Sequence, residues 1–211
     1  MNNKITLGLD ISTKTIGVCL AESVKIPAQK NIHKCKILEL THISPRVKPK
    51  PDNKLEELFK KVDIIKDFLS KYKDSKITNV VIEEPLLGSN NLYTSTILVK
   101  FNGMVSRVIY DLFDMVPEFL SSYESRKNAF PELMQPRKFN KKGEKILKLN
   151  NPVLFGNYDY NCDKKMIIWE KVNNLYPEIQ WIYNKNNVLA KESFDMSDSV
   201  CVVLAYINLN N

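Results

Sequence analysis

Residues 4–21, KITLGLDISTKTIGVCLA, place the tightest constraint on the fold. Residues 4–9 and 14–21 are apolar stretches of strand length. In the second, Ile16, Val18 and Leu20 alternate with smaller neighbours, as a half-buried strand requires. Only Asp10 to Lys14 separates the two, and a link this short joins antiparallel neighbours, so a hairpin is predicted. Asp10 is the one acidic side chain in residues 4–20, and it falls where the first apolar run ends.

The hairpin is followed by a predicted third strand over residues 36–43. The proline-broken segment PRVKPKPDN then gives way to helical spacing over residues 54–72, carried by Leu55, Leu58, Phe59, Val62, Ile65, Phe68 and Leu69. ITNVVIEEP reads as a short buried strand stopped by Pro85. A long helix is predicted over residues 93–113 and a brief strand in MVPEFL. Residues 131–161 break the pattern: they are rich in Lys and Arg, weakly apolar, and are expected to leave the main body as a basic insertion. Helical spacing returns over residues 163–175, residues 181–189 are ambiguous, and residues 194–209 read as a buried helix. Three antiparallel strands followed by crossovers through helices give an α/β fold with a mixed five-stranded sheet and helices on both faces, here expected as one domain over residues 1–211.

A chain of 211 residues with 44% hydrophobic content can build a core. Its formal net charge of +7 keeps nucleic acid and anionic surfaces among the partners. The four cysteines, Cys19, Cys35, Cys162 and Cys201, show no CxxC spacing, against a zinc site or a disulfide framework. The sequence shows neither a signal peptide nor an apolar run of membrane-spanning length, so no membrane partner is expected and a cytoplasmic, reducing location is.

Four carboxylates stand in unusual places: Asp10 after the first strand, Glu83 at the end of VVI, and Asp195 with Asp198 at the predicted start of the last helix. Each has an ordinary explanation alone. Asp10 would serve a turn; Asp195 and Asp198 would serve as a helix cap and a first-turn acid; Glu83 and its neighbour Glu84 would sit in solvent. Successive strand residues face opposite ways, so at most one of that glutamate pair can join a given site. Together, the acids form a cluster that repels itself unless cations neutralise it. Oxygen-only donors suit Mg²⁺, with Mn²⁺ as a substitute, and two such ions would suit phosphodiester hydrolysis.

This pattern resembles the RuvC-type Holliday junction resolvases of the ribonuclease H-like superfamily. GLDISTKTIG matches the family's GxDxSxxxxG, VVIEEP its strand-end Glu, and DMSDSVCVVLAYI its DxxD helix. The resemblance implies a Mg²⁺-dependent, homodimeric endonuclease that cleaves branched DNA, with Asp10, Glu83, Asp195 and Asp198 as catalytic metal ligands. It places Lys127 of SRKNAF, and Lys165 or Lys164 of DKKMIIWEKV, beside scissile-region phosphates; the apolar register favours Lys165. It makes the helix over residues 93–113 the dimer interface. Arg137, Lys138, Lys141, Lys142 and Lys145 of the insertion are expected to contact a junction arm, or else to form a solvated loop. Two features depart from the bacterial pattern: the long insertion, and Ser193–Phe194 where a His often precedes the last acidic pair. Compact size and Asn/Lys-rich composition are more like a phage or viral member, working in a bacterial host or at a viral replication site. Three other functions fit parts of the sequence. These are a flap or replication-intermediate nuclease of the same fold, a phosphate-binding ATPase-like protein, and an inactive DNA-binding module.

Overall fold

A computed structural model of the chain describes residues 4–24, 34–85, 91–146 and 151–210. Strands β1 (Ile5–Ile11), β2 (Ile16–Val24) and β3 (Lys34–Ile43) form the expected antiparallel meander. Strand β4 (Ile77–Glu83) returns parallel to β1, and β5 (Glu118–Leu120) lies parallel to β4. The sheet order is β3-β2-β1-β4-β5, the mixed five-stranded arrangement read from the sequence.

The period of two along the strands sorts the core onto two faces. Leu7, Leu9, Val18, Leu20, Val80 and Ile82 pack with Leu58, Ile65, Phe101 and Val105. Those partners come from helix α1 (Lys54–Ser70) and helix α2 (Leu92–Phe113). Cys19, Ala21 and Val81 face the opposite way, onto a cluster containing Ile168, Val172, Val200 and Val203. That second face carries helices α3 (Ser122–Ala129), α4 (Lys164–Leu175) and α5 (Lys191–Leu209). Helix α5 is buried from Asp195 through Ile207. Each of its apolar side chains of Val or Leu size contributes about 1.5–3 kcal/mol by leaving water.

Local chemistry starts the helices. Asn53, Asn91, Ser121 and Asp163 cap α1, α2, α3 and α4 by accepting from backbone N–H groups one turn ahead. Helix α5 has no such residue: Ala190 stands at its N-cap position without a side-chain hydrogen bond. Its start is tied instead by Ser193, whose hydroxyl donates to the Ile182 carbonyl and accepts from the Ile182 N–H.

The structure corrects four expectations. First, β1 runs through Ile11, so Asp10 lies inside the strand opposite Gly17, and the turn is Ser12 to Thr15. Second, α5 begins at Lys191 and not at Phe194; Asp195 and Asp198 sit beyond its first turn, which excludes the capping role. Third, α3 was absent from the helical pattern because it is too short and polar to show an apolar stripe. Fourth, the basic insertion does not leave the body throughout. Its strands β6 (Met134–Pro136) and β7 (Pro152–Leu154) pair antiparallel, and Leu133 and Phe155 beside them are buried in the α3–α5 core. Residues 181–189 form a small turn closed by a bridge between Tyr183 and Leu189. Among the described residues no helix is long and apolar enough to cross a membrane.

Candidate active site

Strand register brings the first two acids together. Leu9 pairs with Ile82 in the β1–β4 ladder, so Asp10 and Glu83 are the next residues on adjacent strands. Glu83 shares a face with Val81 by the two-residue repeat, and Val81 packs toward α5. Gly8, two residues before Asp10, faces the same helix: a Cβ there would fall 2.3 Å from Val203 Cγ2. Asp10 and Glu83 therefore point to the same side. Glu84 has left the strand, is exposed, and donates its backbone N–H to the Leu120 carbonyl at 2.8 Å. Its side chain still lines the cleft rim.

Two glycines let α5 approach. Gly17, opposite Asp10, has no room for a Cβ, which would lie 1.9 Å from the Asp195 carbonyl oxygen and 2.9 Å from the Met196 nitrogen. The helix backbone thus rests directly on β2, and Asp195 and Asp198 project beside Asp10 and Glu83. Both are nearly inaccessible, at 3% exposure. The Thr15 hydroxyl donates a short hydrogen bond to Asp195 Oδ2.

All four acids line one cleft of about 210 Å³, together with Arg126, Lys165 and Lys191. The Lys165 ammonium sits 3.2 Å from Asp198 Oδ2 and 3.5 Å from Asp195 Oδ1, and an Arg126 guanidinium nitrogen is 3.7 Å from Asp198 Oδ1. Burial, reinforced by the charges of Glu83, Asp198 and Asp195, pushes the Asp10 carboxyl well above the usual carboxylate range. Burial and Asp198 raise Glu83 to about 7, with Arg126 and Lys165 pulling the other way. Burial opposes the charged form of Lys165, but Asp198, Asp10 and Asp195 outweigh it and hold its pKa above the ordinary value.

Among the described residues no group of three or more His, Cys, Asp or Glu side chains stands in a geometry able to hold a metal ion. Asp195 and Asp198 share an ammonium instead. The donor chemistry nevertheless fits a hard dication: every acidic side chain in the cleft offers oxygen, and the four carboxylates face only Arg126, Lys165 and Lys191 among the cleft's cations.

The basic residues expected at the site divide. Lys165 enters the cleft, whereas Lys164 lines a separate hollow of about 110 Å³ with Arg137 and Tyr160. Lys127 is exposed on α3, its ammonium 6.0 Å from the Tyr123 ring, and Arg126 is the α3 side chain that reaches the acids. Arg126 Nε is buried without a hydrogen-bond partner. Lys138, Lys141, Lys142 and Lys145 are exposed around the β6–β7 hairpin, with Arg137 and Lys141 at 5.1 and 5.9 Å from the Tyr160 ring. Sequence reasoning missed Arg126 and Lys191. The signal for Arg126 was present in SSYES: Ser121 and Glu124 form a capping box, which starts a helix at Ser122 and fixes Arg126 one turn later. No comparable signal marks Lys191, because α5 begins without a capping side chain.

No protein family matches the sequence, and no curated protein does. Solved structures do match. The structure of RuvC from Thermus thermophilus superposes with a TM-score of 0.59 at 10% identity, covering 98% of this chain and 95% of that one. The T. thermophilus RuvC complex with Holliday junction substrate gives 0.57 at 9% identity, covering 98% and 94%. The yeast mitochondrial Holliday junction resolvase Ydc2 gives 0.54 at 12% identity, covering 97% and 78%. At such identities the likeness establishes the fold, a ribonuclease H-like mixed sheet flanked by helices.

Proposed function

We propose that this cleft hydrolyses phosphodiester bonds in branched DNA, with four-way junctions as the substrate. The observation that carries the proposal is the meeting of Asp10, Glu83, Asp195 and Asp198, from two strands and a helix, in one cleft flanked by Arg126, Lys165 and Lys191. One solved neighbour on this fold holds Holliday junction DNA.

Asp10, Glu83, Asp195 and Asp198 would hold Mg²⁺, or Mn²⁺ in its place. The bound cation supplies Lewis-acid polarisation of the phosphoryl group and lowers the pKa of water. The chain's own residues do the rest. Glu83, titrating near 7, loses its proton readily when positive charge arrives, so cation binding releases protons. Lys165 and Arg126, now paired with Asp198, become available to phosphate oxygens once the acids are otherwise neutralised. Thr15 and the backbone contact at Gly17 hold Asp195 in place while charge changes around it.

A junction offers two equivalent strands, which a two-fold dimer would engage with one site on each. Helix α2 supports that assembly: Leu92, Val99 and Tyr110 are exposed along it at 81%, 44% and 43%. All four cysteines are free, in keeping with action in a reducing compartment such as a bacterial host or a viral replication site.

The test is cleavage of a labelled four-way junction and of a linear duplex of the same arm sequence, with Mg²⁺ or EDTA. Mg²⁺-dependent nicking of the junction, lost in Asp10→Asn, is the expected result. An active Asp10→Asn variant, or equal cleavage of the linear duplex, would overturn the assignment of site or substrate respectively.

A further inference from the structure

We propose that a second, basic cavity beside the acidic cleft holds the sugar–phosphate backbone of the DNA strand as it leaves the cleft. The inference rests on the nuclease assignment above.

The cavity measures about 460 Å³, the larger of the two hollows that meet at the Ser12–Thr15 turn. Its cations are Lys14, Arg46, Lys48, Lys50, Lys61 and Lys191, against two acids, Glu57 and Glu192. Glu57 is already committed. Lys61 and Lys54 hold it at 2.9 and 3.0 Å, and Lys50 lies at 4.0 Å. Hydrogen bonds from Lys61 and then Lys54 keep its carboxyl at about 2, so it stays ionised and spends its charge on lysines at the wall. Lys61 is committed as well, donating to the Thr13 carbonyl at 2.8 Å. Lys14, Arg46 and Lys48 are exposed and have no ion-pair partner among the described residues. Like charges gathered around one hollow repel one another unless an anion sits among them.

The shape of the lining selects the anion. Among the described residues no aromatic side chain borders the cavity, so its lining does not stack a base, and a nucleobase would gain little. Lys, Arg and Ser44 instead offer donors suited to phosphate oxygens.

Continuity with the cleft identifies whose phosphates these are. Lys191 lines both spaces. The wall between them is the β1–β2 turn: Ser12 lines the cleft, Thr15 the cavity, and the Ser12 hydroxyl donates to the Thr15 carbonyl at 2.7 Å. Thr15 in turn binds Asp195. A strand with one phosphate at the acids therefore passes Lys191 and meets this basic hollow next. The insertion lysines around the β6–β7 hairpin do not line it, so it forms a contact surface of its own.

The test measures binding of a fluorescent synthetic four-way junction to the full chain in EDTA, across a salt series. The variant Lys14→Ala/Arg46→Ala/Lys48→Ala removes three exposed loop charges. A control, Lys60→Ala/Lys66→Ala/Lys73→Ala, removes three exposed charges from α1 and the turn after it. The cavity variant should bind about tenfold or more weakly at roughly 0.1 M salt, with the slope of log affinity against log salt flattened by about two to three units. The control should stay within about threefold. Lys14→Arg/Lys48→Arg should retain the wild-type slope, which separates charge from fold, and matched melting curves confirm folding. An unchanged slope in the cavity variant, or an equal loss in the control, overturns the cavity assignment alone. A wild-type chain that binds no junction overturns the nuclease assignment and this inference with it.

Discussion

Gly17 stands opposite Asp10 in the β1–β2 ladder, and a Cβ on Gly17 would fall 1.9 Å from the carbonyl oxygen of Asp195. The absence of one side chain thus sets how close the acids of α5 come to the acid of β1. The atoms in the way are backbone, which cannot rotate aside. Gly17→Ala should push α5 off the sheet, lowering stability by about 1–3 kcal/mol and removing cleavage even where the protein still folds. Melting curves and junction cleavage on one preparation check this; a stable, active Gly17→Ala protein would show that the contact is not needed.

Glu83 and Glu84 both border the cleft, but only Glu83 lies on the strand face shared with Asp10. Glu83→Gln should cut turnover by about 10³-fold, the scale of several kcal/mol of lost charge stabilisation. Glu84→Gln should stay within about tenfold. If Glu84→Gln proves the worse of the two, the strand parity assigned to the site is wrong.

Arg126 and Lys127 are neighbours with different surroundings. Arg126 lies 3.7 Å from Asp198 and lines the cleft, whereas Lys127 is exposed beside Tyr123. Arg126→Ala should reduce cleavage by about 10- to 100-fold, with junction affinity changed far less. Lys127→Ala should leave cleavage within about threefold. Single-turnover rates at saturating enzyme separate the two effects; matching losses would mean that neither residue acts at the acids.

Cation removal should expose the cost of gathering four carboxylates. Glu83 titrates at about 7 in the folded chain against an ordinary 4.5, and Asp10 is shifted in the same direction. Between those pH values the folded state holds more protons than the unfolded state, so stability falls as pH rises. Glu57, held at about 2, has the opposite sign: its contribution is present above 4.5 and is lost as pH falls below that. In EDTA the melting temperature should therefore be highest near pH 5 and decline toward pH 8, and Glu83→Gln should flatten that decline. Mg²⁺ should raise stability most at the alkaline end. A melting temperature that climbs from pH 5 to 8 in EDTA would contradict this.

Lys141, Lys142 and Lys145 are exposed around the β6–β7 hairpin. Changing all three to Ala should flatten the salt dependence of junction binding by up to about two to three units, leaving the Mg²⁺ requirement of residual cleavage intact. Combined with the cavity substitutions, the losses should add, since the two groups share no partners. No change in slope would leave the hairpin a solvated loop.

The sequence alone determined the mixed sheet and singled out Asp10, Glu83, Asp195 and Asp198 as a candidate set of acids. Period-two runs with a short turn can only pair antiparallel, and VVI followed by Glu83 places a carboxylate at a strand end by parity. The spacing of Asp195 and Asp198 puts both on one helical face. The sequence could not show that Asp195 and Asp198 lie beyond the first turn of α5, because that helix starts at Lys191 without a capping side chain and is fixed by a contact from Ser193 to Ile182 across a turn. The apolar register of α4 already favoured Lys165 over Lys164, and Lys165 is the one in the cleft. The sequence did not show that Arg126, and not its neighbour Lys127, meets the acids; only the packing of α3 against α5 decides which of that pair turns inward. The basic cavity is likewise a product of tertiary structure, since Lys14, Arg46 and Lys191 come from three distant segments that share no local pattern and meet only when the β1–β2 turn, the β3–α1 connection and the start of α5 close around one hollow.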